Sequence, residues 1–174
     1  MNKYFGHTLS AGNNNMVIAL SATECGKLFA GDTRSDIGSE AEKMKFANSV
    51  NDLVVKFIRL DTDPNSGSEM LVMERLYPFD YRSYEVEKRE LLYEVFEDEL
   101  KQLHKAGFVH HDIKRPSSER GEPYDNIFLT EKGIRLIDVG ISGLRSHVGE
   151  KLFARYVEEE MKELAEFKKY FIER

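Results

Sequence analysis

Phe108-Val109-His110-His111-Asp112-Ile113-Lys114, Asn126-Ile127-Phe128-Leu129 and Leu136-Ile137-Asp138-Val139-Gly140 are three pieces of one stretch on which the reading of this chain turns. Each piece joins a short run of β-branched, aromatic or leucine residues to one or two polar ones. Such runs, too short for helices and separated by polar loops, predict short strands. A polar side chain just outside a strand is held in place by the strand without being buried in it. Asp112, Lys114, Asn126 and Asp138 are the residue types that phosphoryl transfer needs: a carboxylate for the attacking hydroxyl, a cation for the moving group, and hard oxygen ligands for Mg²⁺.

Upstream of this stretch the chain reads as strands around one helix. Gly12 and Asn13-Asn14-Asn15 signal a turn inside Leu9 to Val17, and Met16 to Leu20 is an apolar run suited to a buried strand. Lys27-Leu28-Phe29-Ala30 predicts another strand. A helix follows, capped by Ser35 or Asp36, with Ile37, Ala41, Met44, Ala47 and Val50 at helical spacing. Leu53 to Leu60 predicts a strand, and Met70 to Met73 its hairpin partner across the turn Asp63-Pro64-Asn65-Ser66-Gly67. From Tyr84 to Ala106 the pattern turns helical, with Leu92, Val95 or Phe96, Leu100 and Leu103 on one face and Gly107 as the stop. Leu152 to Ile172 predicts a long amphipathic helix, in which Glu158-Glu159-Glu160 reads as a solvated face.

The order Asp112, Lys114, Asn126, Asp138 resembles the eukaryotic-type protein kinase superfamily, with its catalytic loop H-R-D-x-K-x-x-N and metal loop D-F-G. The resemblance covers about Leu9 to Gly140. It implies an α+β, two-lobed kinase-like fold in one minimal domain, 1–174. A small antiparallel N-lobe with one helix would span about 1–74, and a reduced helical C-lobe about 75–174. It implies Asp112 as catalytic base, Lys114 as phosphate-facing cation, and Asn126 and Asp138 as Mg²⁺ ligands. Ser10 to Val17 is similar to the family's phosphate loop with only Gly12 of its glycines kept. Lys27 stands where the family has its ATP-binding lysine and Glu42 where it has that lysine's glutamate partner, with Glu40 as the fallback. Leu71 to Leu76 resembles the hinge, with Met73 behind the adenine and the backbones of Glu74 and Leu76 on its edge. Val17, Cys25 and Phe128 fall at apolar adenine-pocket positions.

The chain also departs from the pattern. His111 replaces the arginine before the catalytic aspartate, so control through a phosphorylated activation loop is not expected. Val139 replaces the phenylalanine of D-F-G. Arg115 to Pro123 is an insertion rich in Pro, Ser and Gly, read as an exposed loop. Residues 141–174 are expected to hold one closing helix rather than the usual activation segment and peptide-presenting lobe. That plan resembles the minimal kinases some bacteria deliver into host cells, and also small-molecule kinases.

Bulk composition narrows the partners. The 174 residues carry a net charge of −6, with basic residues scattered among acidic ones, so no field draws the chain to nucleic acid or anionic lipid. One cysteine excludes an internal disulfide framework. No apolar run is long enough to span a bilayer, and Met1 to Gly12 is too polar for a signal peptide, so a cytoplasmic protein is expected. Ser21 to Lys27 ends in Gly26-Lys27 but lacks the first glycine of a P-loop and has Leu28 where Ser or Thr is needed. The five histidines show no metal-ligand spacing. The expectation is a Ser/Thr protein kinase using ATP and Mg²⁺ on a protein hydroxyl, the chain itself included. A weakly active kinase-like module that binds a partner, and a small-molecule kinase, remain open beside it.

Overall fold

A computed structural model describes residues 8–11, 15–29, 36–115 and 123–173. The chain is mixed α+β. Strands β1 (Thr8–Ala11), β2 (Asn15–Ala19) and β3 (Glu24–Phe29) run antiparallel to one another, and the α1 helix (Ile37–Val50) follows. The β4 (Phe57–Thr62) and β5 (Glu69–Glu74) hairpin then completes a five-stranded antiparallel sheet in the order β1-β2-β3-β5-β4.

Strand alternation sorts the sheet's side chains by face. Register pairs Val17 with Lys27, Lys27 with Leu71, and Cys25 with Met73, so these residues share one face. Ile18, Met70 and Val72 form a small buried cluster on the other. Gly26 belongs to that second face, and a Cβ there would stand 2.3 Å from Met70 Sδ, so any larger residue would force the Met70 side chain to shift.

Asp36 caps α1, its carboxylate accepting from the N–H groups of Gly38 at 2.9 Å and Ser39 at 3.3 Å. The run Leu53 to Leu60 gives a strand only from Phe57. Leu53, Val54 and Val55 are instead buried in the main core cluster. Their backbone pairs with Leu136, Leu136 N–H donating to Leu53 C=O at 2.8 Å and Val55 N–H to Leu136 C=O at 2.9 Å. Apolar composition alone cannot separate these two uses of one run.

The remaining chain is built on helices. α2 (Val86–Ala106) starts two residues later than its pattern suggested and ends at Gly107, whose φ of 110° is a left-handed cap. Its buried stripe uses Tyr93, Phe96, Leu100 and Leu103, while Val95 is exposed. Short pairs β6 (Phe108–Val109), β7 (Ile127–Thr130), β8 (Gly133–Leu136) and β9 (Gly143–Leu144) carry the motif loops, β6 with β9 and β7 with β8. A single turn, α3 (Arg145–Val148), leads into the long α4 helix (Glu150–Glu173), which packs on α2.

One continuous buried cluster runs from Phe29, Met44 and Leu71 through Phe96, Leu100 and Leu136 to Leu164, Phe167 and Phe171. Phe96 meets Phe167 edge-on with ring centroids 5.6 Å apart. Each such side chain contributes about 1.5–3 kcal/mol on burial, enough together to hold the motif-bearing loops on a fixed base. Among the described residues no helix is long and apolar enough to cross a membrane.

Candidate functional site

Residues distant in sequence converge where β3, α1 and the loop after β8 meet. Lys27, buried on β3, donates to Glu40 Oε1 at 2.8 Å and to Asp138 Oδ1 at 3.3 Å. Burial disfavours its ammonium, but Asp138 and Glu40 outweigh burial and hold its pKa above the ordinary lysine value. Asp138 is desolvated as well. Lys27 is the chief opposing influence and keeps the Asp138 carboxyl below the usual carboxylate range. The backbone of Asp138 sits at a φ of 57°, in the left-handed region that costs a non-glycine residue energy.

The expected pair Lys27–Glu42 is not formed. Glu40 takes the place, and the reason is helical phase. Ile37, Ala41 and Met44 set the inward stripe of α1, and Glu40 lies within it. Glu42 is two residues on, roughly 200° around the axis, where its half-exposed carboxylate meets His147 Nε2 at 3.3 Å. Glu40→Gln is therefore expected to lower unfolding free energy by about 2 kcal/mol, since Asp138 still neutralises Lys27. Glu42→Gln should stay within about 0.5 kcal/mol. Urea unfolding separates the two, and equal losses would contradict the assignment. Lys43, on the same helix, donates to Gly140 C=O at 3.0 Å and ties α1 to the loop that carries Asp138.

Asp112 lies in the loop after β6. Asn126 Nδ2 donates to its carbonyl at 2.9 Å and to its Oδ2 at 3.1 Å. The N–H of Asp112 donates to His110 Nδ1 at 3.2 Å, which leaves Nε2 as the protonated nitrogen, donating to Ile137 C=O at 2.8 Å. His110 thus binds the Asp112 loop to the strand end before Asp138, as a scaffold. Burial pushes the Asp112 carboxyl above its ordinary value, and the charge on Asp138 adds to the shift.

A residue that the sequence pattern did not single out anchors this loop. Glu160 on α4 is buried and not solvated, correcting the reading of Glu158-Glu159-Glu160 as an exposed face. Its carboxylate accepts from His111 N–H at 2.7 Å, His110 N–H at 3.2 Å and His104 Nε2 at 2.6 Å. His111 is held at a φ of 67°, with its ring stacked on Tyr156 at 3.9 Å. The signal for Glu160 was present: it keeps register with Phe153, Leu164, Phe167 and Phe171 on the buried stripe of α4.

Lys114 does not turn toward Asp112. Its ammonium bonds the Glu166 carboxylate on α4, and its backbone N–H meets Glu163, whose carboxyl is pushed to about 7 by burial first and Glu160 next. The cation beside Asp112 is Arg115, with Nε 4.0 Å from Asp112 Oδ2 and Nη1 3.8 Å from Asp125 Oδ1. Arg115 N–H donates to Pro123 C=O at 2.6 Å, closing the neck of the insertion.

The apolar positions fall on the Lys27 face of the sheet and on β7. Val17 is half-buried opposite Lys27, Cys25 is buried opposite Met73, and Phe128 is half-buried on β7. Burial pushes the Cys25 thiol up to about 11, so it stays a neutral, buried thiol and not a nucleophile. Glu74 spends its N–H on Lys56 C=O at 3.0 Å and its carboxylate on Arg135. Its carbonyl faces the weak Cys25 thiol donor at 3.6 Å, and Leu76 lies half-buried on the segment beyond. Gly12 lies outside the described residues.

Asp138 and Asn126 together offer hard oxygen donors at the site. Asn126 uses its amide nitrogen on Asp112, which directs its oxygen elsewhere. Among the described residues no cluster of three or more His, Cys, Asp or Glu could hold a metal by protein groups alone. Mg²⁺ in nucleotide sites takes one or two carboxylates, with phosphate and water as its other ligands, and the donor set fits that mode. No protein-family model matches the chain, and a search of curated proteins gives no match.

Proposed function

We propose that the chain is an ATP- and Mg²⁺-dependent phosphotransferase of minimal, two-lobed kinase-like design, acting on a Ser/Thr hydroxyl of a protein. The observation that carries the reading is the Lys27–Glu40–Asp138 contact. A buried lysine held between two carboxylates, one from a helix and one from a loop 111 residues away, is costly to build for stability alone. It makes sense where a triphosphate needs a fixed cation beside its metal ligand.

On this reading the adenine lies against Val17, Cys25 and Phe128, with the Glu74 carbonyl and the Leu76 N–H at its edge. Lys27, braced by Glu40, holds the α and β phosphates. Asn126 and Asp138 would hold Mg²⁺, which when bound neutralises charge on the phosphates. Asp112 orients the acceptor hydroxyl and takes its proton, and its raised pKa suits a base better than that of an ordinary exposed carboxylate. His110, Asn126 and Glu160 keep Asp112 in position before substrate arrives, so little reorganisation is needed during transfer.

The ties of α1 to the Asp138 loop through Lys43 and to α3 through Glu42–His147 support an assembled site without a phosphorylated loop. The test is label transfer from γ-labelled ATP to the chain itself or to a generic basic protein. Labelled protein is the expected result. Tight Mg·ATP binding with no transfer to any protein would favour a binding module, and a labelled small product without labelled protein a small-molecule kinase.

A further inference from the structure

We infer that Arg115, rather than Lys114, is the cation that meets the transferred phosphoryl group, an assignment that rests on the phosphotransferase reading above. Lys114 is committed elsewhere, with its ammonium on Glu166 and its backbone N–H at Glu163, both on α4. Using it at the site means breaking that pair and swinging the side chain back. Arg115 needs no such movement. Its guanidinium already lies between the carboxylates of Asp112 and Asp125.

Two features distinguish Arg115 from an ordinary structural ion pair. Its contacts of 4.0 Å and 3.8 Å are attractive at that range but longer than hydrogen bonds, so neither carboxylate locks the fork. Its backbone is nevertheless fixed, because the N–H to Pro123 C=O bond closes the insertion immediately behind it. A half-exposed, permanently charged planar fork on an anchored backbone suits bidentate contact with phosphate oxygens. The insertion would then have a chemical consequence: its neck sets which of two adjacent cations faces the base.

In the step itself, the acceptor oxygen forms a bond to the γ-phosphorus and the bond from that phosphorus to the β,γ-bridging oxygen breaks. The electron pair of the broken bond leaves with ADP, and the hydroxyl proton passes to Asp112. Arg115 exchanges no atoms. It offsets negative charge on the equatorial oxygens of the moving group, an electrostatic role in which one donor is typically worth about 10²–10³ in rate.

The experiment compares Arg115→Ala, Arg115→Lys and Lys114→Ala in two measurements: Mg·ATP and Mg·ADP affinity by calorimetry, and single-turnover label transfer to a basic protein. Arg115→Ala is expected to slow transfer about 10²-fold and to weaken ATP but not ADP, with partial recovery in Arg115→Lys. Lys114→Ala should leave transfer and both affinities within about threefold, because the changes it makes are at α4. Full transfer in Arg115→Ala, or the large loss falling on Lys114→Ala, overturns the assignment. Arg115→Gln, close in size, replaces Arg115→Ala if the alanine variant is not folded by circular dichroism. A wild-type chain that binds neither nucleotide overturns the phosphotransferase reading itself, a failure visible before any variant is made.

Discussion

Replacing Asp112 by alanine is expected to lower phosphate transfer by about 10²–10⁴, roughly 3–5 kcal/mol of barrier, while ATP affinity changes little. The separation follows from geometry. Asp112 is held by Asn126 and His110, whereas the nucleotide contacts proposed for Lys27, Glu74 and Leu76 lie on the sheet and the segment after it. A pH dependence of definite sign follows from the burial of Asp112. A base must be ionised to accept a proton, and burial raises the pKa of Asp112. The acid limb of kcat/KM should therefore fall off at higher pH than for an ordinary aspartate, and the limb should vanish in Asp112→Ala. An alanine variant with wild-type transfer would remove Asp112 from the mechanism.

Glu160→Ala is expected to be strongly destabilising, costing about 3–5 kcal/mol of unfolding free energy. One buried carboxylate satisfies His104 and the N–H groups of His110 and His111. Truncation leaves all three donors desolvated and unpaired at once. It also frees His111, whose left-handed backbone relies on that bond, so transfer should fall even below the denaturation midpoint. Glu158→Ala and Glu159→Ala are the controls. Both residues are exposed, and each should stay within about 0.5 kcal/mol. A Glu160→Ala loss as small as theirs in urea unfolding would show that the carboxylate is not the anchor.

What could be read from the sequence and what could not divide along physical lines. Strand and helix positions came through where a period or a cap was present, as with Asp36 before α1 and Gly107 after α2. Asp112, Asn126 and Asp138 were legible because each stands beside a short apolar strand, and the structure brings Asn126 onto Asp112 and Lys27 onto Asp138. Choosing between Glu40 and Glu42 required the inward phase of α1, which Ile37, Ala41 and Met44 could have supplied. Glu160 was missed because three consecutive glutamates look solvated, although only one of them falls on the apolar stripe. Lys114 and Arg115 are adjacent, and nothing in spacing tells which one a distant helix will claim. That choice depends on Glu166, 52 residues further along the chain.

The proposed function requires that Lys27 and Asp138 serve a triphosphate. Calorimetric titration of the whole chain with ATP, with and without Mg²⁺, measures this in wild type and Lys27→Met. Saturable, Mg²⁺-dependent binding in wild type, weakened at least about tenfold in Lys27→Met, is the predicted result. Absence of binding in wild type, or equal binding in both proteins, would contradict it.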